Sequence, residues 1–540
     1  MTQVTMPRQQ GTQTRTFTYD SFTQRVTAVQ TPESGTVTYV YNLDGTVQSK
    51  TDAKGQQTRY IYETYGRVME TDVSPGGAGQ PADVCQTVTY QYDTATVLES
   101  VTQRNGYGRL TGTTWSSPAN STGQCPFTFV EEYAYTAWGQ VTIKRMTVNN
   151  TSLGNTPAVM EGTFQYDAEG RLSNFSTPYS SGDPVPEQNF TYNRDALGRA
   201  VGMYSGIQGQ TTTTLVNGVS YNGAGRMLMT GIGETRQYNT NGQLTRLTAG
   251  GGGPQGLDLS YNYGTANNNG RVASVTDNLS GEQVTYTYDQ LNRLTQALTN
   301  DAWGLSFGYD GFGNLTQQTR VQGTTAPTLS VTVDPATNRI TTAGYGYDAN
   351  GNVTQTPDGM TYGYDVANRM VSNGATYNPK NQRVFDGTYL YYYGVGGELI
   401  GRYQVLWGQT FALGSPPVTY TMVQLQGGKP NLYFDGRAIQ LQGHGSVMTD
   451  RLGSVRVNGN GERMNYYPYG GEVGTETAEG RVKFGTYTRD SAGITRISDI
   501  MGRGWEGSWH RTLIERRQLR QVTLQVPPVG IGTSTFTVIQ

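Results

Sequence analysis

A seven-residue phrase recurs along this chain, and its spacing limits the possible folds more than any single residue does. Its fullest form is Tyr166-Asp167-Ala168-Glu169-Gly170-Arg171-Leu172. Variants start at Tyr19-Asp20, Tyr92-Asp93, Tyr288-Asp289, Tyr309-Asp310, Tyr347-Asp348 and Tyr364-Asp365, and with Asn for Asp at Tyr221-Asn222, Tyr238-Asn239 and Tyr377-Asn378. A sequence period of roughly twenty residues implies a repeated supersecondary unit whose copies must stack on one another.

Each position has a local physical job. The segment before the tyrosine alternates β-formers, as in Val284-Thr285-Tyr286-Thr287-Tyr288, which is a strand pattern. Asp or Asn then bonds its own backbone and starts a tight turn. Gly or Asn four residues after Tyr (Gly170, Asn292, Gly313, Gly351, Asn368) suits a positive φ. Arg171-Leu172, Arg293-Leu294 and Arg369-Met370 begin the return strand. One repeat is a β-hairpin, and the chain is a long antiparallel meander. An isolated hairpin is marginal in water, so neighbours must carry one another, with Tyr and Thr cross-strand pairs as the main adhesive. Asn replaces Asp freely at the turn, which points to turn chemistry rather than catalysis for these carboxylates.

Composition narrows the class. Hydrophobic residues make up 35% of the 540 and mean hydropathy is −0.54, low for a chain wrapped around a dense core. The expectation is a sheet with two fairly polar faces, one toward bulk water and one toward a water-filled or cargo-filled interior. Net charge is −2 and charged residues are 15%, so there is no basic field for nucleic acid. No apolar run approaches membrane-spanning length, and Met1-Thr2-Gln3-Val4 opens no secretory signal. Cys85 and Cys125 are too few for a zinc site. They either bridge a long insertion in an exported protein or are two separate buried thiols. His444 and His510 are the only histidines, which argues against a Ser-His-Asp triad, and His444 reads as a loop residue. Gly250-Gly251-Gly252-Gly253-Pro254 is a hairpin tip, not a phosphate loop, because no Lys-Ser/Thr follows. Gly394-Val395-Gly396-Gly397 lacks the βαβ surroundings of a dinucleotide site. No cofactor or metal is expected.

Three later motifs, in order, sharpen the reading. Asp450-Arg451-Leu452-Gly453-Ser454-Val455-Arg456 resembles a D-x-L-G-S-V-R box, Tyr466-Tyr467-Pro468-Tyr469-Gly470 a Y-x-P-[FY]-G box, and Phe484-Gly485 through Arg489-Asp490 an F-x-G-x-x-R-D box. Together with the tyrosine–aspartate repeats they resemble the RHS/YD-repeat proteins and their RHS repeat-associated core. The resemblance covers about residues 1–493 and implies an all-β strip of hairpins that spirals into a hollow shell. It divides the chain into repeats (1–440), an incomplete core (441–493) and a tail (494–540). Asp450 and Asp490 are assigned turn or plug packing.

The tail departs from that family. An R-Y-Y element, G-R-F-L-x-P-D-P, N-R-Y-x-Y and a D-P-x-G segment should follow; instead the chain reads Ile494-Thr495-Arg496, then Gly504-Trp505-Glu506-Gly507-Ser508-Trp509-His510. Joining the last base of each codon to the first two of the next forces Gly at Trp505-Glu506 and Ala at Trp509-His510. The pairs between permit Arg, Phe and Leu, and those to Ile514 permit Pro-Asp-Pro-Tyr. The flanking codons permit the R-Y-Y and N-R-Y-V-Y elements in the same shifted frame. The expectation is that a one-base shift near codon 493 places residues 494–540 out of frame, with no evolved fold. The alternative is a short variable C-terminal domain. On the shifted reading, Arg516-Arg517-Gln518-Leu519-Arg520 is no nucleic-acid patch. Resequencing across codon 493 tests it.

Within the resemblance, full-length relatives are secreted or cell-surface shells, many enclosing a C-terminal toxin that the core releases by self-cleavage, others serving adhesion. Here the cleavage segment and toxin are missing from the reading frame, so the expectation is a non-enzymatic scaffold, truncated, with an encapsulated polypeptide as partner only in longer relatives. The alternatives are a module binding cell-surface glycans and, more remotely, a self-cleaving toxin carrier.

Overall fold

The computed structural model describes residues 1–94, 105–151, 157–178, 187–207, 211–250, 256–264, 268–372, 374–411, 418–425, 428–474 and 482–485, and the pairs 522–523 and 537–538. Arg489, Asp490 and nearly all of the reading-frame question lie outside the described residues. Among those described there is no α-helix. Sixteen strands, from Gln3–Arg8 to Thr213–Val216, form one sheet in which each strand pairs antiparallel with its sequence neighbour. Eleven more, from Ser220–Tyr221 to Leu329–Ser330, form a second sheet of the same kind. Shorter sheets follow, including five strands between Thr376–Tyr377 and Val418–Leu425. This is the meander expected from the repeat.

The register shows why the strip curls. A β-bulge falls at the repeat tyrosine in hairpin after hairpin: at Tyr41, Tyr62, Tyr92, Tyr135, Tyr166, Tyr288 and Tyr309. A bulge bends its strand and increases the local right-handed twist. Placed repeatedly along one edge, it coils the strip.

Contacts between distant residues show the coil directly. Arg8 donates to the Gly311 carbonyl 303 residues away, and Gln13 to Asn338 across 325. The separation then falls: 280 residues for Gln86–Val366, 241 for Tyr192–Tyr433, 186 for Arg463–Asp277 and 160 for Tyr309–Tyr469. Residues 8, 309–311 and 469 therefore lie at one angular position on successive turns. The first turn takes about 300 residues and the second about half that. The strip is a tapering spiral, closing toward its C-terminal end.

The interior corrects one expectation from composition. Between Gln3 and Tyr62 the strands are mostly half-exposed, as two polar faces require. From Trp115 to Met227 they are not. Phe129, Met146, Met160, Phe164, Phe190 and Met203 are buried against Phe385, Leu390, Tyr392, Tyr403 and Phe434 of the second turn. Low average hydrophobicity concealed a dense core confined to the region where one turn covers the next. A buried ion pair sits there: Lys144 Nζ lies 2.9 Å from Glu131 Oε1 and donates to the Tyr393 carbonyl at 3.1 Å. Burial pushes the Glu131 carboxyl up, but Lys144 and the Tyr133 hydroxyl outweigh it and hold the group below its ordinary value.

Cys85 and Cys125 are bonded to each other, which decides between the two readings of that pair. The bridge ties two loops on the edge that faces the second turn. His444 does lie in a turn, but it is 1% exposed, so it belongs to the packed end of the spiral rather than to a solvent loop.

Candidate functional site

The hairpin tip is the repeated unit from which any site here is built. In the tip at Asp167, Oδ1 accepts the backbone N–H groups of Glu169 (3.2 Å) and Arg171 (2.8 Å), and Oδ2 pairs with the Arg171 guanidinium at 2.8 Å. Gly170 takes φ +79° to close the turn. The same plan holds at Asp289 with Asn292 (φ +63°) and Arg293, at Asp310 with Gly313 (φ +98°), at Asp348 with Gly351 (φ +84°), and at Asp365 with Asn368 and Arg369.

The tyrosines couple each tip to the previous one. The Tyr166 hydroxyl donates to the Val141 carbonyl at 2.9 Å, Tyr288 to Val272 at 2.9 Å, Tyr309 to Leu294 at 2.7 Å and Tyr364 to Val353 at 2.9 Å. Val141, Leu294 and Val353 are each the first strand residue after the preceding turn, and Val272 lies two residues before its strand. Several arginines lie over the following tyrosine ring, as Arg293 does over Tyr309 (4.9 Å) and Arg369 over Tyr377 (5.3 Å). Tyr347 differs: its hydroxyl accepts the Ile340 N–H at 2.9 Å.

At the narrow end, the boxes turn out to be the same hairpin in other letters. Asp450 accepts the N–H groups of Leu452 (2.9 Å) and Ser454 (3.1 Å), and Gly453 has φ +81°. Tyr467 N–H bonds the Gly471 carbonyl, and Gly470 takes φ +100°. The D-x-x-G spacing of Asp450 to Gly453 was the signal available in the sequence. Leu452 is exposed, while Ser454 and Val455 are fully buried. Arg456 donates to Met464 O (2.8 Å) and Asn465 Oδ1 (2.6 Å) and lies 3.6 Å from Asp450. The second box docks on the first turn: Tyr467 packs edge-on to Trp303 (5.0 Å), and Tyr469 to Phe307 (5.2 Å) with its hydroxyl on that of Tyr309. Pro468 sits at this turn between them.

This end brings together three residues to which sequence reasoning gave no functional part. Lys483, 2% exposed, pairs with buried Glu472 at 2.8 Å. His444 Nε2 bonds the Val482 carbonyl at 2.8 Å, and burial beside Lys483 holds its imidazole down at about 4. Among the described residues no cluster of His, Cys, Asp or Glu is arranged to hold a metal ion, and no helix is long and apolar enough to cross a membrane.

Fold and tips define a class: a hollow spiral shell built from tyrosine–aspartate hairpins. The RHS Repeat family model matches residues 266–302. The fold is similar to that of a Photorhabdus luminescens Tc holotoxin pore containing a TccC3 variant (TM-score 0.63, 15% identity, over 88% of this chain and 26% of that one). It is similar also to the TcdB2-TccC3 crystal structure (TM-score 0.61, 16% identity, 88% and 27%) and to TcdB2-TccC3 without its hypervariable C-terminal region (TM-score 0.59, 16% identity, 85% and 25%). This chain spans about a quarter of the length of those chains. No curated protein sequence matches it. The chain carries an RHS repeat at residues 266–302, set in a fold similar to that of these solved chains.

Proposed function

We propose that this chain is a non-enzymatic encapsulating scaffold: residues 1–440 form the wall and the boxes between Asp450 and Gly470 close its narrow end. The observation that carries this reading is the tapering spiral, with about 300 residues in its first turn and about half that in its second. A strip coiled this way encloses a space wider at one end than the other. One solved chain of similar fold belongs to a Tc holotoxin pore by its name, which supports an enclosed polypeptide as the partner in longer relatives and an exported product. The repeated carboxylates each accept backbone N–H groups of their own turns, which supports a structural role for the Tyr166, Tyr288, Tyr309, Tyr347 and Tyr364 tips and for Asp450. Small-angle scattering tests the shell. A compact chain of this length has a radius of gyration of about 24 Å. The shell predicts a clearly larger value with a depleted centre, and the compact value would overturn it.

The adhesion alternative has one observation on its side. Phe22, Leu43, Tyr65, Tyr107, Trp138 and Leu197 stand 75% or more exposed on first-turn tips, spaced by polar groups. A glycan array with Trp138→Ala and Tyr65→Ala tests it: signal lost in both variants supports a glycan-binding rim, and no signal from the unsubstituted chain removes it.

A further inference from the structure

Residues Val482–Gly485 form a short segment held at the closed end, with a bend at Phe484 and a turn at Gly485. Its backbone is bonded at three points: the Val455 N–H donates to the Lys483 carbonyl (2.7 Å), His444 Nε2 meets the Val482 carbonyl (2.8 Å), and the Gly485 N–H donates to Ser454 Oγ (3.1 Å). Its side chains enter separate environments. Val482 packs on Leu441, Val447, Val455 and Met464. Lys483 reaches buried Glu472. Phe484 stacks edge-on to Tyr466 at 5.5 Å and lies over Gly470, where a Cβ would come within 2.8 Å of the ring.

We propose that the two boxes and His444 form a peptide-binding cleft, occupied here in cis, whose ligand is an aliphatic–lysine–aromatic–glycine segment. Main-chain bonds give such a cleft its hold, and pockets for individual side chains give it selectivity. The lysine is specified by its 2.8 Å ion pair with buried Glu472, which a neutral residue there could not make. The aromatic is specified by the slot between Tyr466 and a residue that must lack a side chain. Gly485 is favoured by its φ of +58°. The cleft holds whatever follows residue 485 to the shell by non-covalent contacts alone, independent of the covalent path through 475–481. This does not require that the shell carry a cargo.

The test uses the full chain with a protease recognition site inserted between Ala478 and Glu479, cut at pH 7.5 and run on native size exclusion. The cleft predicts that the fragment beginning at Glu479 co-elutes with the shell. Glu472→Lys and Lys483→Glu should each speed its release by a factor on the order of a hundred or more, and the double exchange should restore retention. Release from the unsubstituted cut chain, with the elution volume of the shell unchanged, overturns the proposal. So does a double exchange no better than either single one. The variants count only where the shell keeps its elution volume, and release from the unsubstituted chain is read independently of them.

Discussion

The tip at Asp195–Gly198 stands on the rim of the first turn, and the tip at Asp348–Gly351 lies in the seam between turns; both follow one plan with different letters. On the rim, Asp195 pairs with Arg199 at 2.7 Å and Leu197 points out, 75% exposed. In the seam, Asn352 takes the place of that arginine, bonding Asp348 Oδ2 at 2.9 Å and Asn368 at 2.8 Å. Asn350 replaces the leucine, is 8% exposed, and donates to Asp52 of the first turn at 2.7 Å. A guanidinium is costly to desolvate, whereas an amide satisfies its neighbours in little space. The turn motif is common to both; at these two tips the variable positions differ with the cover the neighbouring turn gives.

The largest expected contrast is between ion pairs. Lys144→Met strands Glu131 in the core between turns and should cost about 3–5 kcal/mol, read as a lower midpoint in chemical denaturation. A loss under about 1 kcal/mol would mean that water reaches this junction and the turns are not packed.

Glycine substitutions sharpen the seam itself. Gly351→Ala and Gly225→Ala face the same backbone strain, at φ +84° and +74°. A Cβ at 225 meets open space, but one at 351 would sit 2.2 Å from the Glu33 carbonyl of the first turn. The expected costs are about 1 kcal/mol at 225 and about 3 kcal/mol at 351. Equal costs would mean that Glu33 and Gly351 do not meet.

Acid should weaken the closed end before the rim. His444 binds its proton only near 4 when folded but at an ordinary value when unfolded. The unfolded chain therefore takes up more protons, and stability falls as pH drops from about 6.5 to about 4, by up to roughly 3 kcal/mol. Groups facing the ring are Lys483, Glu472 and Glu462. His444→Gln, which still donates to Val482, should flatten the profile over that range; an unchanged slope would assign the acid effect elsewhere.

The smallest effect belongs to the rim. Arg199→Gln breaks a partly exposed pair and should cost about 0–1 kcal/mol, screened by salt. A larger, salt-insensitive loss would show that this tip is covered.

The hairpins were legible in the sequence because their chemistry is local: an Asp that bonds residues two and four ahead needs no distant partner. The seam was not, because its partners lie 160 to 325 residues apart. Asn314 and Asn352 were visible as departures from arginine, yet only the neighbouring turn gives them meaning. Glu131 and Lys144 look like ordinary alternating strand residues until Tyr392 and Tyr393 cover them. His444 and Lys483 are isolated in sequence and meet only once the boxes have folded into hairpins.

The central claim is that the chain coils back on itself after about 300 residues. The direct measurement is the double variant Arg8→Cys with Gly311→Cys, oxidised as a folded monomer. A Cβ at residue 311 would lie 3.1 Å from that of Arg8, close to the separation a disulfide spans. The account predicts an intramolecular bridge and a shifted mobility on non-reducing electrophoresis, absent when the chain is oxidised unfolded. Two thiols that stay reactive in the folded monomer would contradict it.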